Sequence, residues 1–151
     1  MTQGGMIMTK LSRSECTSIL SNADRSQVET AAKIIKDNYD VKIVRAPQKT
    51  LTMIKMREPV GRGIFYLGEI LCCECTVEVG GTTGFSVIIG DDFEKAQNCA
   101  IIDAAITAGF KECSEIYALI VKLGVEQTQE RRKLNGEILK SKVDFHTMGE
   151  M

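Results

Sequence analysis

The sequence predicts an α+β domain in which helices gather against one face of a small antiparallel sheet. Three observations point there. Val28, Ala31, Ala32 and Ile35 are spaced as one face of a helix, whereas Leu67, Leu71, Cys73, Cys75, Val77 and Val79 fall on one side of a period-two pattern. A Gly-rich segment, Gly80-Gly81-Thr82-Thr83-Gly84, joins that pattern to a second apolar run from Phe85 to Gly90, as a hairpin loop does. After Gly90 the apolar residues return to helical spacing. The order helix, helix, strands, helices is that of an α+β fold.

Taken in order, residues 1–8 read as a disordered tail, residues 9–142 as a single domain and residues 143–151 as a C-terminal docking segment. A first helix is expected from Thr9 to Ser21. The second opens at Asp24, which has capping-box spacing to Gln27, and stops near Asn38. Val41 to Ala46 and Thr50 to Arg57 read as two strands joined through Pro47-Gln48-Lys49, and Pro59, Gly61 and Gly63 interrupt the pattern after them. In the long strand that follows, Cys72, Glu74, Thr76 and Glu78 form a polar face opposite the apolar one, so the sheet is covered on one side only. Asp91 or Asp92 caps a third helix, about Phe93 to Ala108. It is apolar on most sides, which places it between layers, and Gly109 ends it. A fourth helix is expected from Ser114 to Gly124 and a fifth, polar one from Val125 to Lys142. The fifth carries Arg131, Arg132, Lys133, Lys140 and Lys142 against Glu126, Glu130 and Glu137, with Gly136 weakening it by about 1 kcal/mol relative to Ala.

Composition narrows the function. The chain has 151 residues, enough for one core, with 19 basic and 20 acidic residues and a net charge of −1. Neither a strongly basic face nor an aromatic stacking platform is indicated, so nucleic acid is not an expected partner. No apolar run approaches the ~20 residues of a membrane span. The N-terminal residues lack the basic start and apolar stretch of a secretion signal, which predicts a cytoplasmic protein.

The six cysteines, Cys16, Cys72, Cys73, Cys75, Cys99 and Cys113, are expected to be reduced. Cys72-Cys73-Glu74-Cys75 is dense enough to suggest a metal site. Structural zinc favours two separated ligand pairs, however, and only Cys73 and Cys75 share a strand face. Core packing is the favoured reading, with a redox-sensitive thiol or a metal site as alternatives.

Other candidates are few. The Gly80–Gly84 segment lacks the Lys and the following helix of a phosphate loop. Asp103 interrupts the apolar third helix and needs a partner, such as Arg45 or Arg57, unless it serves a site. Arg57 and Glu58 close one strand and Gly68 and Glu69 open the next, where they suggest a small polar site or a protein contact. His146, the single histidine, lies in the terminal segment, so catalysis through it is not expected. No complete catalytic constellation and no metal-ligand motif is present.

One ordered set of motifs goes further. Arg45-x-Pro47, Arg57-Glu58, Phe65-x-Leu67-Gly68-Glu69, Gly84, Gly90, Asp103-Ala104 and Val143-Asp144-Phe145-x-Thr147-Met148 resemble the G subunit family of the carbon–phosphorus lyase system, PhnG. The resemblance runs from about residue 10 to the end, and the terminal motif is its most distinctive part. The chain departs from the family pattern at Glu74 and Asp91, where the family carries arginines, and at His146, where it carries Phe.

The resemblance implies a subunit of an assembly with the H, I, J and K proteins. With the L protein, the G, H and I subunits are associated with making α-D-ribose 1-methylphosphonate 5-triphosphate from ATP and a phosphonate. The assembly uses ATP with Mg, no cofactor is held by this chain, and the nucleosidase-like chemistry is attributed to the I subunit. No catalytic residue is therefore carried over. Arg45, Arg57, Glu58, Gly68, Glu69, Asp103, Asp144 and Phe145 are candidates for contact with a partner or ligand. The competing reading is a stand-alone, cysteine-rich thiol or metal-binding module.

Overall fold

A computed structural model describes residues 11–143. The expected tail, the start of the first helix at Thr9 and the docking segment beyond Val143 lie outside the described residues. The fold is α+β, with four helices packed against a three-stranded antiparallel sheet.

Helix α1 spans Arg13–Asn22, within and one residue past the expected Thr9 to Ser21. A capping box fixes its start: the Ser12 amide donates to the Glu15 carboxylate at 2.6 Å, and the Glu15 amide to the Ser12 hydroxyl at 3.2 Å. Helix α2, Arg25–Asn38, begins as expected, with the Gln27 side chain accepting from the Asp24 amide. It buries Val28, Ala31, Ala32 and Ile35.

The two strands expected before residue 58 are one. Strand β1 runs unbroken over Val41–Arg57. Pro47 sits where the register slips between Arg45 and Gln48, on an edge strand, so its missing amide removes no bond from the sheet. Strand β2, Ile64–Val79, pairs with β1 along its length and with β3, Thr82–Ile89, only from Cys72 to Val79. The hairpin is tighter than expected: only Gly80 and Gly81 turn, with φ of +56° and +80°, and Thr82, Thr83 and Gly84 are already in β3.

Helix α3, Phe93–Ala108, lies across the sheet, capped by Asp92, whose side chain accepts from the Lys95 amide at 3.0 Å. Gly109 ends it in the left-handed conformation. Gly84 allows its close approach. A Cβ there would stand 2.6 Å from the Ala104 Cβ and closer still to the Ala100 carbonyl oxygen. The dry sheet face is as expected where α3 covers it, with Cys73, Cys75, Val77 and Val79 fully buried. Cys72, expected on the polar face, is also buried, between Thr50 and Ile89 of the two flanking strands.

Helix α4 is a single helix, Cys113–Lys140, where two were expected. Gly124 does not stop it. Instead it admits α1, since a Cβ at that position would meet the Ile19 Cδ1 at 2.9 Å. At about 1.5 Å per residue the helix is roughly 42 Å long. It buries Ile116, Ile120 and Leu123, all in its first half.

Candidate functional site

Asp103 is the buried charge of the core, 6% exposed. Its partner is Arg13 of α1, neither Arg45 nor Arg57. The Arg13 Nε donates to Oδ1 at 2.7 Å and a terminal nitrogen to Oδ2 at 2.5 Å, a bidentate pair. Oδ2 also accepts the Phe85 amide of β3 at 2.9 Å. One carboxylate thus ties α1, α3 and β3 together, and its hydrogen bond raises the Arg13 pKa further. Arg13 stands ninety positions from Asp103, so no local spacing in the sequence pointed to it. A first turn at Ser12 puts Arg13 at its head.

The other candidates do not converge on one site. Arg45 and Arg57 stand at opposite ends of β1, about 40 Å apart at about 3.3 Å per residue. Arg45 pairs with Glu74 at 3.4 Å, and Gln48 donates to the same carboxylate at 2.5 Å. Glu74 is thus a cross-strand acceptor. Glu58 accepts the amides of Val60 and Gly61 at 2.9 and 2.6 Å, while Arg57 donates to the Arg62 carbonyl. These two charges shape a turn. Gly68 and Glu69 lie opposite Ile54 and Met53 in the ribbon that this turn closes. Asp144 and Phe145 lie outside the described residues, as does His146.

The cysteines pack in the core. Cys16, Cys72, Cys73, Cys75 and Cys99 are buried, and Cys113 is half-buried. Burial pushes the Cys99 thiol up to about 11 and raises those of Cys16, Cys73, Cys75 and Cys113. Cys73 donates to the Gly90 carbonyl at 3.2 Å and Cys113 to that of Ala105 at 3.1 Å. Such thiols are hydrogen-bond donors rather than nucleophiles, the opposite of a reactive cysteine. Among the described residues, no three of His, Cys, Asp and Glu are grouped so as to hold a metal ion. None of the described helices is long and apolar enough to cross a membrane.

The unusual feature is a core face of the sheet that runs past the core. Beyond Ile89 no third strand accompanies β2, so residues 51–57 and 64–71 form a two-stranded arm outside the cover of α3. Leu67 and Leu71, expected to face inward, are 60% and 40% exposed there, and Leu51, Met53, Met56, Ile64, Phe65 and Tyr66 are exposed as well. On α4, Leu134 and Ile138 are exposed beyond the buried Ile116, Ile120 and Leu123, with Gln127 and Glu130 between them in the same helical row. Monomeric proteins rarely leave such apolar runs open, and they mark interaction surfaces. The signal was present in strand lengths: a return strand from Phe85 to Gly90 is too short to cover a partner that begins near Phe65.

Comparison with known proteins agrees with the motif set. The family model described as phosphonate metabolism protein PhnG matches residues 11–149. The alpha-D-ribose 1-methylphosphonate 5-triphosphate synthase subunit PhnG of Rhizobium meliloti (strain 1021) is 29% identical over 137 residues, covering 90% of this chain and 87% of that protein.

Proposed function

Since the chain belongs to the PhnG family, we propose that it is a non-catalytic subunit of the phosphonate carbon–phosphorus lyase core complex, supporting synthesis of α-D-ribose 1-methylphosphonate 5-triphosphate. The observation that carries the reading is the uncovered apolar face of the β1–β2 arm. The arm continues a face that is dry inside the domain, so it is a core surface awaiting its other half.

The side chains support a structural role. The Asp103 carboxylate is engaged by Arg13 and the Phe85 amide, and burial raises the thiols of Cys16, Cys73, Cys75, Cys99 and Cys113 above the ordinary range. On this reading ATP, with its magnesium, and the phosphonate bind other subunits of a cytoplasmic assembly. The partners proposed are the I, H, J and K proteins.

The test is co-expression of the subunits with and without this chain. Size-exclusion chromatography should show a single assembly only when it is present. Conversion of ATP and methylphosphonate by that assembly, followed by phosphorus NMR, should fall to background without it, and the isolated chain should be inactive. A complete, active assembly lacking this chain refutes the proposal.

A further inference from the structure

The two faces of the arm differ in charge. The register places Lys49, Leu51, Met53, Lys55 and Arg57 on one face, opposite Cys73, Leu71, Glu69, Tyr66 and Ile64. This is the face that α3 covers from Cys73 inward and leaves open from Leu71 outward. The opposite face carries Thr50, Thr52, Ile54 and Met56 against Cys72, Ile70, Gly68 and Phe65 and has no charge. Three bases against one acid therefore frame the apolar side chains on the first face. Among the described residues, neither Lys49 nor Lys55 has a carboxylate within ion-pair distance.

Resting on the subunit reading above, we propose that this face of the arm seats an amphipathic segment of a non-identical subunit, one whose apolar ridge is flanked by carboxylates. The partner continues the layer that α3 begins: its ridge covers Leu51, Met53, Tyr66 and Leu71, and its acidic flank meets Lys49 and Lys55. Charge argues against a second copy of this chain. A two-fold contact sets the same patch against itself, which would oppose Lys49, Lys55 and Arg57 to their own copies with only Glu69 to answer them.

The test uses the full chain co-expressed with the other subunits of the assembly. A photo-crosslinking phenylalanine analogue replaces Met53, and the crosslinked peptides are identified by mass spectrometry. The expected product joins this chain to a segment of a different subunit that contains alternating apolar and acidic residues. In parallel, Lys49→Glu/Lys55→Glu should lower the copurified assembly about tenfold or more, while Lys33→Glu/Lys122→Glu, exposed on α2 and α4, leaves it unchanged. Both altered lysines are exposed, Lys49 at the base of the arm and Lys55 on it, so the isolated double variant should keep the wild-type melting temperature. A crosslink to a second copy of this chain, or to a segment without carboxylates, overturns the proposal. So does normal assembly by Lys49→Glu/Lys55→Glu. In those cases the wild-type chain still copurifies and the subunit reading stands. If the wild-type chain copurifies with none of the subunits, both readings fall.

Discussion

Replacing Asp103 with Asn keeps the side chain's size and removes its charge. In the native structure the two carboxylate oxygens receive three N–H donors, two from Arg13 and one from the Phe85 amide. An asparagine offers one acceptor oxygen, and its NH₂ then faces a donor, either the guanidinium or the strand amide. Removing one partner from a buried ion pair typically costs about 3–5 kcal/mol. The Arg13 side chain is 55% exposed, however, so it regains water when it loses its partner. What stays uncompensated is the Phe85 amide or one carboxylate-facing donor, at about 1–3 kcal/mol for a buried unsatisfied group. We expect a loss of about 2 kcal/mol. For a chain of this size each kcal/mol moves Tm by about 2–4 °C, so the Asn variant should melt about 4–8 °C below the wild type in a thermal scan by circular dichroism. Any loss of activity in the assembly should track loss of assembly. A variant that melts within a degree of wild type and assembles normally, yet yields an inactive complex, would refute the structural assignment and place Asp103 in a reacting site.

Further outcomes follow from the packing and the titrating groups. Gly84→Ala should destabilise the domain by about 3 kcal/mol, because its Cβ meets α3 backbone that has no room to yield, and chemical denaturation will measure it. In native protein a thiol reagent at neutral pH should label Cys113 at most, while denaturation releases all six cysteines; rapid native labelling of Cys99 would contradict its burial. The raised Cys99 thiol contributes stability that is present below the ordinary thiol range and is lost as pH rises through about 11, so alkaline unfolding should shift upward in Cys99→Ala, measured against the neutral-pH loss from the smaller side chain. Glu15 titrates below its ordinary range because it accepts the Ser12 amide. Its contribution is therefore present above the unfolded carboxylate pKa and lost on acidification, and Glu15→Gln should flatten the acid limb of the stability curve.

Much of the fold was legible from local chemistry. The α2 capping box, the Asp92 cap, the Gly109 stop and the alternation from Cys73 to Val79 are set by neighbouring residues, and each formed where its pattern placed it. The misreadings share a cause, which is that distant packing decides what a local breaker does. Pro47 ends a strand only if its amide is needed, and at a bulge on the sheet edge it is not. Gly124 ends a helix only if nothing requires its missing Cβ, and Ile19 requires it. The Arg13–Asp103 pair spans ninety positions, so no spacing rule pointed to it. The exposed arm followed from a mismatch between strand lengths rather than from any motif.

The Asp103 carboxylate has a consequence at the sheet margin. By accepting the Phe85 amide it occupies an outward-facing donor of β3, the shorter edge strand. That margin offers a poor template for another strand. The opposite margin, β1, presents a much longer row of backbone groups together with the apolar side chains of the arm. The molecule is therefore one-sided in its capacity to associate. The β1 margin is the side on which another chain can add backbone hydrogen bonds to the sheet.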